Sequence, residues 1–527
     1  MTLQRRDLLR ASVGLSAVAA LGIGAEPDAA AALTTPDRIL RNGQHFPNGF
    51  TVPAGKVWAF ETGSNVRVTT AGNVVVRGTL RMGYTAHRHT LRFIDVDESA
   101  FVGGGMEPLA TDVGLWVVGA GVLDVEGRPR AGWNRVGRHA TWRSTDLLLQ
   151  APIRRGDYDT YTRHSLGDHV PRVRDPWGNV QRTEVFNLTR TVTIEGTPGR
   201  RTHVLIRSSV PQRIRYARFN HMGPRKATSG NYRSAVVLGR YPVHFHHCGN
   251  GSRGSLVEGC VVTNSSHAFV QHESHGVTMR DCVAYRITDD AFWWDEDSPS
   301  ADVVWDHCAV FDVRADPGFR GSVAGFLLGR GGGRKIVRNC VAVGARGFDS
   351  ASGFQWPEFA NDDRDNVWIA RNLVAHNNSS AGVFVWQNDS NAHVVDNLVA
   401  YHNGTGGVRH GAYVNEYKYK AGRLWGNGQG DILLFALARS NRQTWTGVRC
   451  DHLVIAEHAL PSAAPEAVVF ADFRCRRVTV NETGQAGGVI RIRCAPGFNL
   501  TRSDFTVLAR RSAITVYRTD GRTFRVR

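Results

Sequence analysis

The sequence predicts an all-β chain wound as a right-handed parallel β-helix, and three observations lead there. A four-residue anchor recurs as Gly259-Cys-Val-Val262, Asp281-Cys-Val-Ala284, His307-Cys-Ala-Val310, Asn339-Cys-Val-Ala342, Asn372-Leu-Val-Ala375 and Asn397-Leu-Val-Ala400. Its central residues, Cys260, Cys282, Cys308, Cys340, Leu373 and Leu398, are spaced by 22, 26, 32, 33 and 25 residues. A period of this size marks a repeat architecture whose units stack. Between anchors a second short apolar run recurs, as in Ala268-Phe-Val-Gln-His272, Ala291-Phe-Trp-Trp-Asp295, Gly325-Phe-Leu-Leu-Gly329, Gly353-Phe-Gln-Trp-Pro357 and Gly382-Val-Phe-Val-Trp386. No helical periodicity long enough for a βαβ unit intervenes. A β-propeller would need two-residue hairpin turns, which are scarce.

Taken in order, the chain opens with Gln4-Arg5-Arg6-Asp7-Leu8-Leu9-Arg10, a mildly apolar run to Gly24 and small residues at Ala29–Ala32. That is the pattern of a twin-arginine export signal over residues 1–32, giving a secreted or periplasmic protein. No later run of about 18 apolar residues follows, so no membrane span is expected after cleavage. Residues 36–152 carry short β-branched strands and many glycines, as a small sandwich or as first coils. Residues 153–430 form the β-helix core. The tail, 431–527, alternates apolar residues with Arg and Thr and is expected to cap the open sheet edge.

Of 527 residues, 42% are hydrophobic and 21% charged, the balance of a folded protein. The formal charge is +17, and removing residues 1–32 takes three Arg and three acids, leaving it unchanged. A basic exported protein favours polyanions. Nucleic acid is excluded as the expected partner, because no recognised motif or clustered basic stripe is present. The recurring Cys positions imply an interior column of thiols; one bridge among Cys450, Cys475 and Cys494 stays open.

Candidate chemistry concentrates at Arg240-Tyr-Pro-Val-His-Phe-His-His-Cys-Gly249. His244 and His246 alternate on a strand and share a face, with His247 expected on the other. The repeat places His272 and Asp295 in one slot of adjacent coils, with His244 and His246 one coil earlier. Coils lie about 4.8 Å apart, so these groups form a column. His244, His246, His272 and Asp290 are candidate ligands for a divalent metal, Zn, Mn or Fe rather than all-oxygen Ca. Asp290, Asp295, Glu296 and His272 are candidate catalytic groups, since paired carboxylates also suit glycoside hydrolysis. Arg240 and Arg280 could neutralise a uronate carboxylate, with Tyr285 available to a lyase. Trp294 and Trp356 could stack on sugar rings. A binding protein without catalysis is the other class these features allow.

A family resemblance adds to this. Val52-Pro-Ala-Gly55, Gly78-Thr-Leu80 and Phe101-Val-Gly-Gly-Gly-Met-Glu-Pro108 look like a G-eight domain over residues 45–127. Trp133, Glu184-Val-Phe-Asn-Leu-Thr-Arg190, Ile194-Glu-Gly196, Tyr216-Ala-Arg-Phe-Asn-His-Met-Gly223 and Arg240-Tyr-Pro-Val-His-Phe-His246 follow in the same order. Together, over residues 45–300, they resemble the hyaluronan-degrading family of the cell-migration-inducing, hyaluronan-binding protein and its transmembrane relative. The resemblance implies a parallel β-helix behind a G-eight-like domain and action on a long acidic polysaccharide. One departure stands out: the family's Gly-His pair before two aromatics is Asp289-Asp290 here. The expected molecule is thus an exported monomer acting on an acidic glycan.

Overall fold

The computed structural model describes residues 35–135, 148–150, 172–182, 184–226, 235–294, 300–316, 322–329, 332–347, 351–356, 367–385, 389–411, 415–435, 442–456, 467–483 and 488–527. The export signal, Asp295, Glu296 and Trp386 lie outside them. Strands and three short 3-10 turns account for the regular structure, and no helix among these residues is long and apolar enough to cross a membrane.

The strands stack in three parallel columns, and each coil contributes one strand to each. One coil runs Arg213–Arg215, Ala217–Asn220, Val243–Gly249; the next runs Leu256–Glu258, Val261–Ser266, Phe269–Ser274. Each strand pairs in parallel with its counterpart one coil on, as Leu256–Glu258 does with Thr278–Arg280 and Val261–Ser266 with Val283–Thr288. The expected parallel β-helix is therefore present. Its coils begin at Arg38–Leu40, whose strand pairs in parallel with Val57–Phe60. The described strands from Arg38 to Glu126 are thus the first coils, and the sheet runs on from them without a break: Val122–Glu126 pairs directly with Arg213–Arg215. Parallel coils continue through the tail to Ala513–Tyr517, closed by the antiparallel Thr523–Arg525.

The anchor pattern has a backbone cause. Asp281, His307, Asn339, Asn372 and Asn397 all take left-handed conformations, with φ between 52° and 56°. Gly259 matches them at 59°. The corner between the first and second columns needs φ > 0, which Gly, Asn and Asp tolerate best. The following Cys260, Cys282, Cys308 and Cys340 turn inward, buried and unbridged, as an interior thiol column requires. The free thiols also include Cys450, Cys475 and Cys494, so no tail disulfide forms. Third-column Phe269, Phe292, Phe326 and Phe354 stack down the axis with centroids 4.6–4.9 Å apart.

One insertion matters for the outside. Between Val122–Glu126 and Val192–Glu195 the chain leaves the coil, forming an antiparallel sheet of Trp133–Arg135, Leu148–Gln150 and Glu184–Asn187. It covers the second column: Trp133, Phe186 and Leu188 pack on Val283, Tyr285 and Phe311. Tyr285 is buried there, which removes it as a lyase base.

Candidate functional site

The site lies on the outward face of the third column. Pairing of Val243–Gly249 with Phe269–Ser274 sets His246 against His272, while His244 faces Val270 two residues back. One nitrogen from each of His244, His246 and His272 falls within 4.8 Å of the others. His244 and His246 are buried and His272 is half-buried, so the group is reached from the His272 side.

The tautomers can be read from the contacts. His244 Nδ1 lies 3.0 Å from the Gly239 carbonyl, which can only accept, so Nδ1 carries the proton and Nε2 the lone pair. That Nε2 lies 3.3 Å from His246 Nδ1. Two nitrogens bound to one tetrahedral zinc at about 2.05 Å stand about 3.3 Å apart. His246 Nε2 is buried without a hydrogen-bond partner. Burial, then repulsion from neighbouring imidazoles, pushes His244 well below the usual histidine range. Burial, then the neighbouring His272 imidazole, lowers His246 to about 3. Both rings are therefore neutral near pH 7, the state that binds metal.

His247 departs from the expectation. Its ring lies 4.5 Å from that of His246 and 4.4 Å from that of His272, and it pairs with Glu273. Its φ of 48° is the reason, together with a register shift between His246 and Gly249. A left-handed residue breaks strand alternation and brings consecutive side chains to one side. Glu273 is also left-handed, at 45°. Strained backbone of this kind concentrates at functional sites.

Other expected members go elsewhere. The Asp290 carboxylate accepts the Ala324 amide at 2.6 Å, fastening the next coil, and stands apart from the three-histidine group. Arg240 is fully buried: its Nε bonds Asp112 at 2.7 Å, its guanidinium stacks over Trp116, and it donates to the Gly105 carbonyl. It ties the glycine-rich loop to the histidine strand and cannot meet a glycan. Arg280 lies in the first column, paired with Glu258. Trp356 is 1% exposed within the main core. Trp294 is buried against Tyr241, Trp293 and Leu327, flat on Gly329, where a Cβ would sit 2.0 Å from its ring. The Trp residues wall and fill the helix where sugar platforms were expected, because alternation and large apolar area drive them out of water.

The register brings up residues that sequence reasoning missed. Leu205 and Ile206 pair with His244 and Phe245, so one step on Arg207 stands against His246. Arg207 pairs with Val118 a coil earlier, and the same register places Arg77 against Val118. A cavity of about 370 Å³ opens beside this column, lined by Arg77, Glu107, Arg207, Ser208, His247 and Cys248 among others.

Residues 202–322, the stretch that holds all three histidines, match the family model described as CEMIP beta-helix. The chain thus carries a CEMIP-like parallel β-helix, as the sequence resemblance implied. No curated protein matches the chain. Among solved structures it is similar to the A-module of the mannuronan C-5 epimerase AlgE4 of Azotobacter vinelandii: 9% identity, 91% of each chain covered, TM-score 0.27. It is also similar to a double mutant of the periplasmic alginate epimerase AlgG: 11% identity, 90% of this chain and 85% of the other, TM-score 0.35. These superpositions are loose; the fold follows from the chain's own strand pairing.

Proposed function

We propose that this is an exported enzyme acting on an acidic polysaccharide, with a divalent metal held by His244, His246 and His272. The observation that carries the reading is the convergence of three imidazole nitrogens within 4.8 Å on one outward face. Three imidazole ligands would leave a fourth position on a tetrahedral ion for water or a substrate oxygen, the pattern of catalytic rather than structural zinc. Bound there, the metal would polarise a glycan oxygen or activate water. The Gly239 carbonyl would orient His244 as an outer partner. The polyanion follows from the +17 charge and from the family that residues 202–322 match. The buried, backbone-committed Asp290 speaks against its use in a paired-carboxylate hydrolysis.

The test is elemental analysis of natively exported protein and of the His244→Ala/His246→Ala variant, with turnover of hyaluronan, alginate and polygalacturonate by each. About one transition metal per chain, lost with turnover in the variant, is the expected result. Turnover that persists without metal would sink the metal centre and favour a metal-free hydrolase or lyase. Glycan binding with no turnover in the wild type would make the protein a binding module.

A further inference from the structure

We infer that the outward column leading into the histidine group is a carboxylate-reading track, in which Arg207 and Arg77 bind uronate groups of a glycan lying along the helix axis. This rests on the reading of the histidine group as the reactive centre, and it names the substrate chemistry of that site. Three observations carry it.

The first is alignment. Stepping coil by coil, the register runs Arg77, Val118, Arg207, His246, His272 along one outward line. Neighbouring positions are about 4.8 Å apart. Arg207 is therefore one coil, and Arg77 three coils, before His246. A linear chain laid on this line meets both cations before it meets the imidazoles.

The second is space. The cavity of about 370 Å³ on this line is lined by Arg77 and Arg207 together with His247 and Cys248. That volume falls within the range of small-ligand pockets. His247 is the ring packed against both His246 and His272, so one wall of the cavity adjoins the histidine group.

The third is charge. The ionisable lining carries two guanidinium groups against one carboxylate, Glu107. Glu107 lies 2.5 Å from an Arg207 Nη1 and is largely exposed. The Ser208 and Ser209 hydroxyls are already spent on the Gly121 and Gly119 carbonyls. A planar guanidinium takes a carboxylate bidentately. Glu107 therefore occupies the place of a substrate carboxylate, as an internal stand-in that a glycan must displace. It sits on the glycine-rich loop that Arg240 clamps through Gly105, which gives the buried Arg240–Asp112 pair a positioning role. The two arginines expected from the sequence to read uronate, Arg240 and Arg280, are replaced in that role by these two.

The experiment is titration calorimetry with hyaluronan and alginate hexasaccharides and with the carboxyl-reduced, neutral hyaluronan hexasaccharide. The proteins are the wild type, Arg207→Gln, Arg77→Gln and Glu107→Gln, each with its metal content measured. Arg207→Gln should weaken binding of at least one acidic probe about tenfold or more, with metal content unchanged. Glu107→Gln should tighten it several-fold, because the competitor is gone; a variant merely damaged in folding would not bind better. The neutral probe should bind weakly and be indifferent to Arg207. Equal binding of acidic and neutral probes, or arginine variants that bind like the wild type, would overturn the track while leaving a metal-loaded centre intact. Failure of the wild type to bind either acidic hexasaccharide would overturn it too. A metal-free wild type whose binding still depends on Arg207 would sustain the track and remove the metal centre.

Discussion

The third column of this β-helix is used in two ways. From Val243 to Ser274 its outward face carries imidazoles. From Ser352 to Phe435 the same register positions, counted from His244, carry Gln355, Phe384, Arg409 and Leu433. The later coils settle their polar groups in ladders. Asn403 Nδ2 donates to Asn427 Oδ1 at 2.9 Å, and its Oδ1 accepts the Asn378 amide and side chain. Glycines 353, 382 and 407 leave room for these amides: a Cβ at each would sit 2.9–3.0 Å from an Asn Nδ2. No left-handed residue interrupts the strands Ala324–Leu327, Ser352–Gln355 or Ala381–Val385. The histidine coils do the reverse. They leave His246 Nε2 without a partner, crowd like-charging rings together and carry strain at His247 and Glu273. One backbone thus supports a region whose buried amides are paired in ladders and a region, the proposed ligand site, that leaves a buried nitrogen unpaired.

The largest predicted effect breaks the stable half. Asn403→Ala strands the Asn378 and Asn427 groups in the interior, at a cost on the order of 4 kcal/mol. His246→Ala in metal-free protein should cost less, about 1–2 kcal/mol, since it gives up one hydrogen bond to His244 and removes a buried nitrogen that has no partner. Thermal melts in chelator would compare them. Equal losses would erase the contrast between the two regions.

Acid separates the ends of the helix next. His89, on an early coil, is fully buried, accepts the Gly83 amide on Nδ1, and is held by burial at about 4. Its unfolded value is near 6.5. The unfolded chain therefore takes the proton first as pH falls. The stability from keeping this ring neutral is complete above pH 6.5 and disappears by about pH 4. It amounts to at most about 3 kcal/mol. In His89→Asn, whose Oδ1 can accept the same amide, unfolding free energy measured between pH 7 and 4 should fall less steeply than in the wild type.

Metal sharpens the comparison from the other side. A transition ion at 100 times its Kd should stabilise the wild type by about 2.7 kcal/mol. The His244→Ala/His246→Ala variant should show none of this, and Asn403→Ala, whose defect lies in another region, should show all of it. A shift that survives in the histidine variant would place the ion elsewhere.

The sequence made the stacking visible, because the corner residues and the thiols behind them repeat in kind. It also placed His246 and His272 together, since both sit at fixed offsets from strand starts. It failed where chirality or distance decides. His247 was expected to face away, and its left-handed φ turns it in. Arg207 precedes His246 by 39 residues, and Arg77 joins the line only through Val118, whose pairing with Arg207 skips 89 residues across the inserted antiparallel sheet. Arg240 read as a surface cation because its partner, Asp112, is 128 residues away.

The smallest effect tests whether strain belongs to the ligand-ready half. A left-handed, non-glycine residue costs about 1–2 kcal/mol, and glycine escapes that penalty at some entropic cost. In Glu273→Gly the lost partner is a half-exposed His247 pair of the kind worth about 0–1 kcal/mol. The net result should be a neutral or slightly raised melting temperature in chelator. At Asn397, also left-handed, the side chain donates to Asn372 Oδ1 at 2.9 Å. There Asn397→Gly gives up a ladder bond, and Asn already tolerates the conformation, so the same exchange should lower stability by about 0.5–1 kcal/mol. Opposite signs at the two positions would tie the strain to the histidine coils. A loss of equal size at both would mean that Glu273 holds its turn as the asparagines hold theirs, as part of the scaffold.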